Sequence, residues 1–255
     1  MLINWKHRFR MTGREKESGS VRLNGNLYGY VYLHIEIMTY FSVGVLKSEP
    51  CRYGEHRKEI LTDPEQSVSH GNTVWSLGKP EPESYDAIVT NRIGVTIAAP
   101  GADCIPLLFA DPVQHVCGVA HAGWKGTLAG VAMATVSTMT AEFGCRAKDI
   151  LVAMGPCVGP CCFTLHQDVA QEFMKIEPSC VKMADSPRPS VDLRRTTRVL
   201  LERGGILSGN ISDASTGSRY GEVTVCTVCH PDTFFSHIRD GSNFGTQIGF
   251  ISVQD

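Results

Sequence analysis

The sequence lacks an excess of charge of either sign, and this limits the partners it can bind. Its 255 residues include 24 Lys and Arg against 26 Asp and Glu, which gives a formal net charge of −2. Nucleic-acid-binding domains usually carry a basic patch or stripe. No dense Lys/Arg block occurs beyond the first 15 residues. We therefore expect no nucleic-acid partner.

The sequence also lacks a long apolar run. The least polar stretch, from Tyr28 to Leu46, contains His34 and Glu36, and it falls short of the ~20 apolar residues that a membrane helix requires. The opening letters MLINWKHRFRMTGREKE are charged and are not followed by the apolar core of a secretory signal. These patterns predict a soluble, cytoplasmic protein with no membrane span.

Repeats and low-complexity segments are absent as well, and a hydrophobic content of 42% is ample for a core. Residues 1–65 differ from the rest: a polar start precedes the alternating strand pattern GYVYLHIEIM and the loop-like KSEPCRYGEHRKEILTDPEQ. We predict one domain over residues 66–255, preceded by an atypical segment over residues 1–65.

From about residue 85 the pattern is regular. Buried strands are predicted for YDAIVTN, GVTIAA, CIPLLFAD, HVCGVAHA, DILVAMG, EVTVCTV and TQIGFISV. Helices are predicted from Thr127 to about Glu142, over HQDVAQEFMKIEP, and over SVDLRRTTRVLLERGG with Ser190 as N-cap. This order predicts an α/β (α+β) sandwich of stacked mixed sheets flanked by helices.

The ten cysteines do not indicate a disulfide scaffold, because such scaffolds belong to short secreted chains. The letters CTVCH, ending at His230, match the attachment motif of c-type haem, but haem attachment implies export and no export signal is present. As half of a structural zinc site, Cys226 and Cys229 require a second pair. Cys161 and Cys162 are adjacent, a poor arrangement for chelation, so buried thiols are the preferred interpretation.

The stretch GVAHAGWKGT, from Gly118 to Thr127, is close to a phosphate-binding P-loop. The two glycines Gly118 and Gly123 have the right separation, but Trp124 occupies the position where the motif requires Lys. The stretch is therefore not a P-loop. It still marks the end of a strand and the start of a helix.

Three residues at probable strand ends, His70, Cys104 and His121, form a candidate metal-binding set. Two imidazoles and a thiolate suit Zn²⁺ or copper, and three protein ligands leave a fourth position for water or substrate. A rival interpretation uses no metal and makes Cys104 a nucleophile with His121 as its general base. The sequence alone does not decide between them, and metal content separates the two.

Four blocks of the sequence occur in the order of a known family's signatures: YDAIVTNRIGVTIAAPGADCIPLLFADP, GVAHAGWKGTLAGV, MGPCVGPCCFTL and FFSHIRDGSNFGTQIGFI. On these blocks the chain resembles the polyphenol oxidase or laccase-domain family, multicopper-oxidase-like proteins with purine nucleoside phosphorylase activity. It is most similar to the vertebrate laccase-domain members. The resemblance covers residues 66–255.

The resemblance implies a mononuclear site, principally zinc with copper as the alternative, in which His70, Cys104 and His121 are ligands and catalytic residues. It implies purine nucleosides and inorganic phosphate as the reacting partners. The implied reaction is phosphorolysis of adenosine, inosine, guanosine and S-methyl-5'-thioadenosine to free base and ribose 1-phosphate. Deamination of adenosine is a second implied activity, so the enzyme is a transferase and a hydrolase.

Phosphorolysis requires positive charge and hydrogen-bond donors near the metal. Lys125, with the amides at the start of the following helix, is a candidate for phosphate, and Arg239 is a second candidate clamp. His230 and His237 are candidates for proton transfer. Trp124, Phe234 and Phe235 are candidates for stacking on a purine. Asp103 is a candidate to orient a ligand histidine.

The chain departs from the family pattern in two places. The Arg-Gly-Gly turn that usually begins the domain is not found, and the first ligand lies in Val-Ser-His-Gly instead of Gln-Val-His-Gly. A truncated or spliced form that is catalytically impaired and acts through protein partners is therefore one alternative. A copper-dependent phenol oxidase is another, weakened because a laccase requires several coppers and the nine histidines contain no His-x-His pair.

Overall fold

The computed structural model describes residues 69–182, 185–213, 226–242 and 244–253, together with the backbone of residues 35–37, 41–48 and 60–61. Most of the strand predicted over GYVYLHIEIM lies outside the described residues. The described strands are β1 (Ile35–Ile37), β2 (Phe41–Ser48), β3 (Ile60–Leu61), β4 (Val74–Ser76), β5 (Ala87–Thr90), β6 (Thr96–Gly101), β7 (Ile105–Asp111), β8 (Val116–Ala122), β9 (Leu151–Met154), β10 (Val181–Lys182), β11 (Ser190–Val191), β12 (Ile211–Ser212) and β13 (Thr246–Val253). The described α-helices are α1 (Trp124–Ala129), α2 (Val131–Phe143), α3 (Gln167–Ile176), α4 (Leu193–Arg203) and α5 (His237–Asp240).

Two mixed sheets form the framework. One has the strand order β12-β9-β7-β8-β5-β4, and the other has the order β1-β2-β13-β6-β3. β2 pairs with β13 over its full length, from Phe41 to Ser48, so part of the segment before residue 66 shares a sheet with the rest of the chain. The domain boundary at residue 65 stays a prediction.

Two apolar layers hold the sheets and helices together. β7 is buried on both faces: Leu107 and Phe109 pack with residues of α2 and α4. Leu108 and Ala110 pack with Ile97 and other residues of the second sheet. Burial of a side chain such as Leu107 contributes about 1.5–3 kcal/mol to folding. The observed architecture confirms the predicted α/β (α+β) sandwich.

The helix predicted from Thr127 to Glu142 is two helices. α1 begins three residues earlier, at Trp124, and ends at Gly130, whose φ is +83°. Glycine adopts this left-handed conformation without the steric cost that a Cβ brings, and it commonly ends helices. α2 begins directly afterwards and ends at Gly144, as the sequence predicted.

The start of α4 also differs from the prediction. Ser190 is not the N-cap, because it lies in β11, paired with Lys182. The cap is Asp192, whose side chain accepts a hydrogen bond from the Arg195 amide. A carboxylate at this position satisfies an unpaired helix N–H, which is why the helix begins there.

The predicted strands over CIPLLFAD, HVCGVAHA, DILVAMG and TQIGFISV are confirmed as β7, β8, β9 and β13. Residues 222–225 of the predicted strand EVTVCTV lie outside the described residues. The rest of that stretch is no strand: Cys226 forms a single bridge with Cys157, and a turn follows. Within the described residues, no helix is both long and apolar enough to cross a membrane.

Candidate metal centre

Strand pairing brings the predicted metal ligands to one edge of the six-stranded sheet. Ile105 opposes Ala122 at the start of β7 and the end of β8, so Cys104 and Gly123 face each other just beyond the pair. The side chains of His70, Cys104 and His121 each offer a ligand atom, and these atoms lie within 4.8 Å of one another. We call this set the histidine–cysteine centre. The structure thus brings together three residues that the sequence places far apart.

The segment that carries His70 is held by a buried carboxylate, Asp86. Asp86 accepts hydrogen bonds from the His70 amide at 2.9 Å and the Gly71 amide at 2.8 Å. The Ser69 hydroxyl donates to the same carboxylate at 2.5 Å. His70 itself has φ of +55°, a conformation that non-glycine residues adopt at a cost. The bonds to Asp86 offset that cost and hold the imidazole at the centre.

Asp86 also fixes the second histidine. His121 Nδ1 lies 3.4 Å from Asp86 Oδ1, and the His121 amide donates to the Asp86 carbonyl at 2.7 Å. Burial raises the pKa of Asp86, but the bonds from His121, Ser69 and Gly71 outweigh it and hold the pKa below its usual value. The carboxylate is therefore ionised at neutral pH. Its contact with Nδ1 leaves Nε2 of His121 for a metal, the usual arrangement of a metal-ligating histidine.

The third predicted ligand, Cys104, is a poor nucleophile in this setting. Burial, with the negative charges of Asp103 and other neighbours, raises the pKa of its thiol to about 12. A thiol of that pKa is protonated at neutral pH, and only the thiolate is a strong nucleophile. A bound metal displaces the proton of a coordinating thiol. The surroundings of Cys104 thus favour a metal ligand over a nucleophile paired with His121.

The carboxylate next to Cys104 does not have the role predicted for it. Asp103 accepts from the Thr227 hydroxyl at 2.6 Å and from the Ile238 amide at 2.7 Å. Those bonds direct it toward the C-terminal segment. Asp86, not Asp103, contacts a predicted ligand histidine, because the pairing of β5 with β8 places Asp86 beside His121, whereas the Asp103 carboxylate is bonded to Thr227 and Ile238.

Two glycines let α1 pack against the centre. A Cβ on Gly123 would lie 2.8 Å from Cys104 Sγ and 3.0 Å from His70 Cδ2. A Cβ on Gly126 would lie 3.0 Å from the Gly71 carbonyl oxygen. Contacts this close leave no room for a side chain. The glycines of the AGWKG stretch therefore serve close packing around the ligands.

Lys125 and Trp124 lie in the first turn of α1, next in the chain to Gly123. Lys125 is exposed, and its Nζ lies 5.5 Å from the centroid of the Trp124 ring. Trp124 is partly buried against the core. The roles of Lys125 toward phosphate and of Trp124 toward a purine stay predictions.

Arg239 directs its guanidinium into the C-terminal segment. Nη1 donates to the Thr227 carbonyl at 2.8 Å, Nη2 donates to the Phe234 carbonyl at 2.9 Å, and Nη2 also pairs with Asp240 at 2.7 Å. These contacts fix the fold of the segment that precedes β13. The role of Arg239 as a phosphate clamp stays a prediction.

The two candidate proton-transfer residues lie on the same segment. His230 is partly buried, and its carbonyl accepts from the Phe234 amide at 2.9 Å. His237 is exposed and packs edge to face on Phe244, with ring centroids 4.8 Å apart. The Ile238 amide bonds to Asp103, so α5 begins close to the residue that precedes Cys104. Roles of His230 and His237 in proton transfer stay predictions.

Asp86 and Ser69 were missed by the sequence reasoning. Asp86 precedes β5 in the run SYDAIVT, where one acidic residue before an apolar strand carries no distinguishing pattern. The information that was needed is the strand pairing: β5, which follows Asp86, pairs with β8, which contains His121. Pairing of non-consecutive strands is a property of the fold, so the local sequence does not contain it.

The family model described as multi-copper polyphenol oxidoreductase laccase matches residues 56–254. The chain belongs to this family. The match begins before residue 66 and includes every member of the histidine–cysteine centre.

This laccase-family chain is 60% identical over 186 residues to the human protein named purine nucleoside phosphorylase LACC1, covering 73% of this chain and 42% of the relative. It is 31% identical over 167 residues to adenosine deaminase RL5 of an unknown prokaryotic organism, covering 64% of this chain and 60% of the relative. The chain thus spans less than two thirds of either relative. The crystal structure of YlmD from Geobacillus stearothermophilus has the same fold, with a TM-score of 0.72 at 21% identity, covering 97% of this chain and 99% of that one.

Proposed function

We propose that this chain is a zinc-dependent purine nucleoside phosphorylase that also deaminates adenosine. The observation that carries the proposal is the convergence of His70, Cys104 and His121 within 4.8 Å, with Asp86 buttressing two of them. The names of two relatives, a purine nucleoside phosphorylase and an adenosine deaminase, supply the reaction classes. Both reactions act on a purine nucleoside.

The ligand set fits zinc. Two imidazoles and one thiolate are donors that zinc accepts readily, and three protein ligands with one open position are typical of catalytic zinc sites. His70 and His121 have ring centroids 4.8 Å apart and are nearly perpendicular, so their nitrogens approach the centre from different directions. Copper accepts the same donors and is the alternative metal.

A bound zinc ion would supply Lewis-acid polarisation of an oxygen of phosphate, ribose or water. His70, Cys104 and His121 would hold the metal and take no part in proton transfer. Asp86 keeps His121 in one tautomer and orientation.

In phosphorolysis, a phosphate oxygen forms a bond to the anomeric carbon while the bond from that carbon to the purine nitrogen breaks. Lys125, exposed in the first turn of α1, balances the charge of the incoming phosphate. His230 or His237 supplies a proton to the departing purine nitrogen. Trp124 offers an aromatic face for the purine. In deamination of adenosine, water replaces the exocyclic amine, which leaves as ammonia.

The proposed substrates are adenosine, inosine, guanosine and S-methyl-5'-thioadenosine, with inorganic phosphate. The products of phosphorolysis are the free base and ribose 1-phosphate, or 5-methylthioribose 1-phosphate from the thio-substrate. The proposed location of the enzyme is the cytoplasm.

Phenol oxidation is the competing function, because the family model carries the description of a multi-copper oxidoreductase. Among the described residues, the one candidate cluster that contains histidine is the histidine–cysteine centre. A multi-copper mechanism requires several metal centres that relay electrons to oxygen. The single mixed centre therefore favours the nucleoside reactions.

A substrate panel tests the proposal. The purified full chain, loaded with zinc or with copper, is incubated with inosine and phosphate, with adenosine alone, and with a phenol under air. We expect hypoxanthine and ribose 1-phosphate from the first mixture, inosine from the second and no quinone from the third. Quinone formation by the copper form without hypoxanthine from either form would overturn the assignment.

A further inference from the structure

Four cysteines outside the histidine–cysteine centre gather at a second place in the fold. The Sγ atoms of Cys161, Cys162, Cys226 and Cys229 all lie within 4.8 Å of one another. Cys229 Sγ lies 3.6 Å from Cys161 Sγ and 3.4 Å from Cys162 Sγ. We call this set the four-cysteine cluster. Its convergence contradicts the sequence-based interpretation of these residues as separate buried thiols, since Cys161 and Cys229 are exposed.

The adjacency of Cys161 and Cys162 does not prevent convergence, because both lie in a tight turn. The Cys162 amide donates to the Gly159 carbonyl at 3.0 Å, and the Phe163 amide donates to the same oxygen at 3.1 Å. The turn directs both thiols toward Cys229. In an extended chain neighbouring side chains point to opposite sides, whereas this turn lets both thiols face Cys229.

The fourth thiol, Cys226, lies inside the fold against two backbone donors. It is fully buried, and the backbone N–H groups of Gly159 and Cys229 donate to its Sγ. A Cβ on Gly159 would lie 3.1 Å from Cys226 Cβ and 3.2 Å from Cys161 Sγ. The lack of a side chain there allows the two halves of the cluster to meet.

We propose that the four-cysteine cluster is a second metal site, which holds a structural zinc ion through four thiolates. Zinc in such sites is tetrahedral with Zn–S bonds of about 2.3 Å, which places the sulfurs about 3.8 Å apart. The separations in the cluster, 3.4 and 3.6 Å with none beyond 4.8 Å, match this size. Cys226 and Cys229 have the two-residue spacing of a zinc half-site, and the turn at Cys161 and Cys162 supplies the other half.

A metal at this place ties the C-terminal segment to the edge that carries Cys104. Beside the cluster, the Thr227 amide donates to the Cys157 carbonyl at 3.1 Å, and the Thr227 hydroxyl bonds to Asp103. The Val158 amide donates to the Asp103 carbonyl at 3.0 Å. An ion bound there would fix the backbone around Asp103 through these hydrogen bonds.

The first test counts metal. The full chain, expressed with zinc and freed of loosely bound ions, is measured by elemental mass spectrometry. We expect about two zinc ions per chain. The double variant Cys162→Ser/Cys229→Ser and the double variant His70→Ala/His121→Ala should each retain about one, while the matched control Cys145→Ser, a buried thiol in neither cluster, retains both. An unchanged zinc count in Cys162→Ser/Cys229→Ser would overturn the proposal.

The second test requires no substitution, so it remains decisive if a variant fails to fold. The exposed thiols of Cys161 and Cys229 are alkylated in the native protein, and the modified peptides are followed by mass spectrometry. With zinc present, both thiols should react at least about tenfold more slowly than after treatment with a strong chelator, because the lone pairs of the thiolates are engaged by the metal. Equal rates in the two conditions, or a Cys–Cys crosslink in place of zinc, would contradict a metal site.

Discussion

The histidine–cysteine centre and the four-cysteine cluster lie close together in the fold and are built in different ways. The first draws His70, Cys104 and His121 from three segments and rests on the buried Asp86. The second joins two short local pairs through tight turns and backbone N–H donors. Three ligands leave a coordination position open, whereas four thiolates fill a tetrahedron. We therefore propose a catalytic role for the first site and a structural role for the second.

The two places are also connected. Asp103 follows β6 and immediately precedes the ligand Cys104, and it bonds to Thr227, which immediately follows Cys226. Its backbone has φ of +83°, a strained value for a residue with a side chain. Strain of this kind persists where surrounding contacts enforce it. The bonds from Thr227 and Ile238 hold Asp103 in this conformation.

The largest expected effect comes from removing the thiolate of the histidine–cysteine centre. We expect Cys104→Ser to lower kcat/KM for inosine phosphorolysis by about 10³-fold, because several kcal/mol of metal-derived stabilisation are lost. Steady-state kinetics with zinc-supplemented protein measure it. The matched control Cys145→Ser, also a cysteine outside the four-cysteine cluster, should retain activity within about threefold. Equal activity of Cys104→Ser and Cys145→Ser would mean that activity does not require Cys104 as a metal ligand.

The next effect comes from filling the space beside the ligands. In Gly123→Ala the new methyl group lies within 2.8 Å of Cys104 Sγ and 3.0 Å of His70 Cδ2, so the ligands must move. We expect zinc affinity, measured by competition with a chelator, to fall by about 10- to 100-fold. The control is Gly209→Ala, since a Cβ at Gly209 meets no atom within 4 Å. A normal affinity in Gly123→Ala would show that the centre tolerates displacement.

A smaller effect is expected from neutralising Asp86, the carboxylate that contacts the His121 ring and the His70 amide. Asp86→Asn keeps the shape of the side chain but loses the charge that pairs with His121 and places an NH₂ group near amide donors. We expect zinc affinity and kcat/KM to fall by about 10-fold. Asp149→Asn, at an exposed pair with Arg146, is the control and should leave both quantities unchanged. If the two variants behave alike, Asp86 has no positioning role.

The smallest effect concerns the connection between the two places. Thr227→Val removes the hydroxyl that donates to Asp103 while keeping the shape of the buried side chain. We expect a loss of about 1–2 kcal/mol in the free energy of unfolding, since a buried carboxylate loses a donor. Chemical denaturation measures it. Thr135→Val, whose hydroxyl bonds only to its own helix carbonyl, is the control. A stability equal to that of the control would mean that the Thr227 bond contributes nothing.

The sequence predicted the parts of this protein that depend on local pattern. Apolar runs marked β7, β8, β9 and β13 because a strand buried on both faces requires continuous hydrophobicity. Glycine marked the end of α2. The break at Gly130 was missed because a single glycine inside a helical pattern is compatible with a continuous helix. The cap at Asp192 was missed because Ser190 and Asp192 are both good caps, and only the pairing of β10 with β11 excludes Ser190.

The candidate sites also differ in how much of each the local sequence pattern predicts. His70, Cys104 and His121 were proposed from strand ends and glycines, and the structure brings them together. Asp86 depends on pairing between distant strands, so no local pattern indicates it. The spacing of Cys226 and Cys229 indicates half of the four-cysteine cluster, but the other half depends on the turn at Gly159. Asp103 was assigned the role of Asp86 because it is adjacent to a ligand in sequence. Sequence adjacency is a weaker guide here than strand pairing.

Adding zinc back to the metal-free protein tests whether the histidine–cysteine centre is a zinc site that phosphorolysis requires. Hypoxanthine release from inosine is followed in the presence of phosphate while zinc is added stepwise to the chelator-treated full chain and to Cys104→Ser. We expect phosphate-dependent hypoxanthine and ribose 1-phosphate that rise with zinc in the wild-type chain and stay at background in Cys104→Ser. A metal-free wild-type chain that releases hypoxanthine as fast as the zinc-loaded chain would contradict this expectation. So would a fully zinc-loaded chain that releases no hypoxanthine.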